Sequence, residues 1–171
     1  MPSGPVALNP PPPVLRFLIA VLPVVAAGFL GSFATMPNIP TWYASLVRPG
    51  FTPPNWLFAP AWTILYAMMA CAAWRILSLP APGPLPAPGR RGALAAFFVQ
   101  LALNALWSFA FFAAHSPAAG LVVILALVAA IIETIRRFRP LDGLAAGLLV
   151  PYLAWVAYAT ALNGAIWWLN R

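Results

Sequence analysis

The side chains that could do chemistry in this chain are amides and aromatic rings set at helical spacing. In "QLALNALWSFAFF" Gln100, Asn104, Trp107 and Phe111 recur every three or four residues and so share one helix face. In "VPYLAWVAYATALN" Tyr152, Trp155, Ala159 and Asn163 do the same, with the small Ala159 leaving room beside its neighbours. Phe58, Trp62 and Tyr66 form a third stripe. Amides among indole and phenol rings suit the non-covalent holding of a flat, mostly apolar ligand. The competing reading is internal packing, with Gln100 and Asn104 hydrogen-bonding neighbouring helices. One stripe alone would favour packing; three stripes, two of them carrying an asparagine, favour a cavity.

Covalent chemistry has little to work with. Glu133 and Asp142 are the only acids, His115 the only histidine and Cys71 the only cysteine. No Ser/His/Asp set, metal-ligand cluster or phosphate loop appears, so no catalytic constellation is expected. Cation-coupled transport would also lack its usual intramembrane carboxylate. Glu133 stands three and four residues before Arg136 and Arg137, the spacing of an ion pair along a helix. His115 reads as a solvated loop residue.

The elements that must position the three stripes follow from composition. Of 171 residues, 63% are hydrophobic and 6% charged, against about a quarter charged in soluble domains. This implies an integral membrane protein. A span needs about 20 apolar residues, and five stretches qualify, near Leu15–Met36, Leu57–Leu79, Ala93–Ala114, Pro117–Ile135 and Leu144–Leu169. The first is read as a retained helix rather than a signal peptide, because its apolar run is long and Trp42 and Tyr43 follow as an interfacial pair. Pro151 predicts a kink in the last span. Residues 1–14 read as a flexible proline-rich segment preceding a single domain over 15–171, and Pro80–Gly92 as a non-helical linker.

All nine basic residues are arginines. Five spans place Arg16, Arg75, Arg90, Arg91, Arg136, Arg137 and Arg139 on one side and Arg48 and Arg171 on the other, seven against two. That asymmetry is a topology signal and not a nucleic-acid surface. It predicts a cytoplasmic N-terminus, an outward C-terminus and a bacterial inner membrane. The loop "RPGFTPPNW", Arg48–Trp56, then faces outward, stiffened by prolines.

In order and spacing, "WYASLVRPGFTPPNWLFAPAWTILY", "QLALNALWSFAFF" and "VPYLAWVAYATALN" resemble the TspO/translocator protein family, the tryptophan-rich sensory proteins. The resemblance implies an all-α bundle of five transmembrane helices, a first loop folded over the cavity as a lid, and a homodimer. It implies porphyrins, haem-type tetrapyrroles and sterols as ligands, no required cofactor, and a sensor or carrier role tied to tetrapyrrole metabolism and stress. Light- and oxygen-dependent porphyrin degradation is the enzymatic alternative, and a regulatory membrane protein with a filled core is the third. Carried over by position, the lid tryptophans are Trp42 and Trp56. The cavity residues are Trp62, Tyr66, Asn104, Trp107, Trp155, Ala159 and Leu162, joined by Phe58, Phe111 and Tyr152 from the stripes. Gly50 and Phe51 stand where some members carry tryptophan. Gly164 and Trp168 replace the residues of the family's C-terminal sterol-recognition pattern.

Overall fold

The computed structural model describes residues 12–80 and 89–171. Helix α1 runs Pro13–Thr35, α2 Phe58–Ser78, α3 Arg90–Ser108, α4 Pro117–Phe138, α5 Gly143–Leu148 and α6 Val150–Leu169. No strand occurs among the described residues. With the helical turns that extend them, these make five apolar segments of 22 to 31 residues. At about 1.5 Å per residue each exceeds the roughly 30 Å hydrocarbon core. Phe17, Phe29, Phe33, Val122 and Leu125 are exposed on the outer surface, the arrangement lipid requires and water would not tolerate. The protein is an integral membrane bundle.

The ends of the helices are set by local chemistry. Pro13 opens α1 at a position where its missing N–H costs nothing. The helix therefore begins inside the stretch expected to be flexible: Pro13 and Val14 are helical, and residues 1–11 lie outside the described part. Ser116 caps α4, its hydroxyl accepting from the Ala119 N–H at 3.2 Å, with Pro117 in the first turn. α4 also runs on to Phe138, past the expected end at Ile135, while Glu133 pairs with Arg137 at 2.7 Å and Arg136 at 3.6 Å. α3 starts at Arg90, three residues before its expected start at Ala93. The Arg90 guanidinium reaches back to the carbonyls of Leu77 and Leu79, closing the exposed end of α2. The rest of the expected linker, residues 81–88, lies outside the described part.

The last span is interrupted just ahead of Pro151: α5 ends at Leu148 and α6 begins at Val150. Proline cannot donate to the preceding turn. Asp142 caps α5, accepting from the N–H groups of Leu144 at 2.9 Å and Ala145 at 3.0 Å. The same carboxylate binds Arg75 of α2 at 2.8 Å. The Ala145 N–H and then the Arg75 guanidinium hold the Asp142 carboxyl below the usual carboxylate range, against the opposing effect of burial.

Around the bundle α1 packs on α2 and α3, α3 on α4, and α4 on α6, while α2 approaches the short α5. The arginine-rich half is solid. Met69, Ala72, Ile76, Phe97, Leu127, Ile131 and Phe138 have essentially no exposure there, and the rings of Phe97 and Phe138 stack at 6.0 Å. Towards the opposite end the interior is not filled. There α2 reaches α6 through ring contacts, Phe58 to Trp155 at 6.0 Å and Trp62 to Tyr152 at 6.3 Å.

Candidate functional site: an aromatic cavity beneath the first loop

The unfilled half holds a partly open cavity of about 470 Å³, within the range of small-molecule sites. α1 presents backbone and small side chains to it: Gly28, Gly31, Ser32 and Thr35. The Gly28/Ser32 pair reads in sequence as a small-residue packing signal without a named partner, and its partner is now visible. A Cβ on Gly28 would sit 3.1 Å from the Tyr66 ring, and one on Gly31 would sit 3.1 Å from Ser108 Oγ. Glycine lets α1 approach closely enough to form one wall.

Phe58, Trp62 and Tyr66 of α2 line the adjoining wall, Trp62 and Tyr66 stacked with centroids 5.3 Å apart. α3 contributes Asn104, Trp107 and Ser108. Beyond Ser108 the helix widens into a π-helical turn, Phe109–Ala113. The extra residue in that turn brings both Phe111 and Phe112 inward, whereas regular spacing would place only Phe111 on the stripe. α6 supplies Trp155, Ala159, Leu162, Asn163 and Ile166.

Two polar relays tie these walls together. The Tyr66 hydroxyl donates to Asn104 Oδ1 at 2.8 Å, and Asn104 Nδ2 donates to the Tyr152 hydroxyl at 3.1 Å. Trp107 Nε1 donates to Asn163 Oδ1 at 3.1 Å, and Asn163 Nδ2 donates to the Pro117 carbonyl at 2.7 Å. Each amide thus joins three helices while its own side chain borders the cavity. Gln100 behaves differently from the expectation of an interhelical bond. It is buried, lies off the cavity, and finds no hydrogen-bond partner for either amide atom among the described residues.

The first loop lies across the far end. After α1 the chain continues in a tight turn, Met36–Asn38, and a π-helical turn, Ile39–Tyr43. Met36, Ile39, Tyr43 and Asn55 border the cavity. Three contacts fasten the loop. Asn38 Oδ1 lies 2.7 Å from His115 Nε2. Asn170 clasps the main chain of Val47, accepting from its N–H at 3.0 Å and donating to its carbonyl at 2.9 Å. The Tyr158 hydroxyl donates to the Phe51 carbonyl at 2.6 Å. His115 is therefore a loop fastener, stacked on Trp42 at 4.8 Å, rather than a purely solvated side chain.

Of the residues singled out in the sequence, Phe58, Trp62, Tyr66, Asn104, Trp107, Phe111, Trp155, Ala159 and Leu162 border this cavity. Three do not. Trp42 turns away to pack on Phe111, Phe112 and His115, and the neighbouring Tyr43 takes the inward place. Trp56 is 72% exposed. Tyr152 is fully buried behind Asn104. Within the π-helical turn only one of the adjacent Trp42 and Tyr43 rings can face inward, and simple spacing does not say which.

The profile of the TspO/MBR family matches residues 19–169, which include every cavity residue. The chain belongs to this family. It is 45% identical over 157 residues to the tryptophan-rich protein TspO of Archaeoglobus fulgidus, covering 92% of this chain and 98% of that one. It is 39% identical over 122 residues to a tryptophan-rich sensory protein of Cereibacter sphaeroides, covering 71% and 72%. It is 35% identical over 130 residues to the translocator protein of Homo sapiens, covering 74% and 73%. Membership agrees with the all-helical bundle and its five spans.

Proposed function

We propose that this TspO/MBR protein binds a flat tetrapyrrole of the porphyrin or haem type in the cavity beneath the first loop, and acts as a membrane sensor or carrier for it. The observation that carries the reading is one 470 Å³ chamber bordered by Trp62, Trp107 and Trp155, with the Tyr66/Asn104 pair among its polar groups. Indole and phenyl faces match an extended ring system, and few polar groups are needed to orient it. A sterol is the second ligand class, its single hydroxyl suited to the same polar pair.

Protoporphyrin titrated into the detergent-solubilised protein should quench tryptophan fluorescence saturably, and phenylalanine at Trp107 should weaken the response. Quenching that rises linearly without saturation would leave a regulatory membrane protein with no small ligand. The placement of three tryptophans around the chamber also favours a second reading, light- and oxygen-dependent porphyrin breakdown. Faster loss of porphyrin absorbance under light than in the Trp→Phe variants would support that chemistry, and equal loss would leave binding alone.

The arginine asymmetry supports an N-terminus in the cytoplasm, an outward C-terminus and residence in the inner membrane; a homodimer is what the family resemblance alone implies. Cysteines introduced at Gly50 and Arg139 in a Cys71→Ser background test the orientation. A Cβ at Gly50 meets nothing within 4 Å. Gly50→Cys is expected to label in intact spheroplasts and Arg139→Cys only after permeabilisation. The opposite pattern overturns the orientation.

A further inference from the structure

Among the described residues none that borders the cavity carries a charge: the lining contains no arginine, aspartate, glutamate or histidine. A ligand whose rings fit the chamber but which carries a carboxylate therefore meets a constraint. Burying an unpaired carboxylate is far too costly, so the acidic arm must end where a cation or water can reach it. The solid, arginine-rich half of the bundle offers no route. The loop end does.

On the outer face of the first loop lies a shallow, open concavity of about 560 Å³ bordered by Arg48, Thr52 and Asn55, together with loop prolines. Asn55 borders this concavity and the inner cavity alike, so it stands at the junction between them. Arg48 also lies against the chamber's edge, its guanidinium carbon 5.4 Å from the centroid of Tyr43, a ring that borders the cavity. Among the described residues Arg48 makes no salt bridge. Its position is fixed from both sides, by the Asn170 clasp on Val47 and by the Tyr158 bond to Phe51. The turn between is closed by Thr52, whose N–H and hydroxyl both donate to the Pro49 carbonyl, at 3.0 and 2.7 Å. A guanidinium held on a stiff loop loses little freedom on meeting a carboxylate and can bind it with two parallel hydrogen bonds. Arg171, the other arginine at this end, lies over the Trp168 ring and borders neither concavity.

We infer that Arg48 is the carboxylate-recognition residue of this cavity, binding the acidic arm of a ring ligand whose apolar body lies among the tryptophans. The inference rests on the tetrapyrrole reading and narrows it. The favoured ligands are ring acids such as porphyrins with free propionates, over neutral ring systems such as sterols or porphyrin esters.

Tryptophan quenching by protoporphyrin and by its dimethyl ester separates the two claims, because the ester keeps the rings and loses the charge. Arg48→Gln should weaken binding of the diacid about tenfold, as loss of a charge-assisted pair does, and leave the ester unchanged. Unchanged ester binding also shows that the variant is folded. Arg48→Lys should recover part of the loss, Arg171→Gln should resemble the parent, and added salt should weaken only the diacid. Equal weakening of both ligands, no effect on the diacid, or a selective loss in Arg171→Gln overturns the role of Arg48 while leaving tetrapyrrole binding intact. Failure of both ligands to saturate the parent protein overturns the tetrapyrrole reading, and this inference with it.

Discussion

Leucine at Gln100 is expected to raise the thermal midpoint of the detergent-solubilised protein, and leucine at Asn104, one turn along the same helix, to lower it. Both side chains are buried amides on one face of α3. They differ in what they touch. Asn104 accepts from Tyr66 and donates to Tyr152, so its loss strands two phenol groups inside the bundle. Stranding a buried polar group costs about 1–3 kcal/mol, and interhelical bonds in membranes average about 0.6 kcal/mol when both partners can re-pair. A loss of roughly 1–3 kcal/mol follows for Asn104→Leu from the same bounds. Gln100 has an amide of which neither atom finds a protein partner, and replacing it removes a desolvation penalty at nearly constant volume. A gain of about 1 kcal/mol is the matching expectation. Thermal unfolding followed by tryptophan fluorescence measures both. A lower midpoint for Gln100→Leu would show that this amide is paired in the folded protein.

That contrast marks the limit of what the sequence shows. Helical periodicity places Gln100, Asn104, Trp107 and Phe111 on one face, and the structure keeps all four on the inner side of α3 or its π-helical extension. Periodicity does not say how far along the bundle the interior is filled. Gln100 lies below the chamber floor and Asn104 forms it, a distinction set by Tyr66 and Tyr152 arriving from other helices.

The residues missed have a common physical cause. Gly28 and Gly31 contribute to the wall by lacking a side chain, and only the Tyr66 and Ser108 atoms beside them reveal this. Phe112 and Tyr43 face inward because π-helical turns add a residue at those points, shifting a phase that regular spacing carries forward unchanged. The long spans, their apolar outer faces and the proline-marked break before α6 depend only on local sequence, and these were legible. The fastening of the loop by Asn38–His115, Val47–Asn170 and Phe51–Tyr158 joins residues 77 to 123 apart. No local pattern records such pairings.

Ala159 provides the sharpest test of where the chamber lies. It borders the cavity from α6 between Trp155 and Asn163, and its methyl group is among the smallest side chains there. Ala161, two residues on, is exposed on the outer surface. Leucine at Ala159 projects three additional carbons into space that the ligand would occupy, against the neighbouring Trp155 and Leu162. Because the space is empty, the leucine should be accommodated with less strain than the 1–3 kcal/mol typical of about one overpacked site in a filled core. Folding should therefore change little. Binding should not. A ligand that must give up that volume loses its contacts along α6 or is excluded, and protoporphyrin quenching should weaken at least about tenfold, equivalent to roughly 1.4 kcal/mol. Ala159→Thr adds a smaller branched group and should fall between parent and leucine. Ala161→Leu should bind as the parent does, since its side chain meets lipid. If Ala159→Leu also binds as the parent does while remaining folded, the tetrapyrrole does not occupy the α6 side of the chamber. A large loss of stability in Ala159→Leu with undiminished binding would instead mean that the α6 face packs tightly in the folded protein and the ligand sits elsewhere.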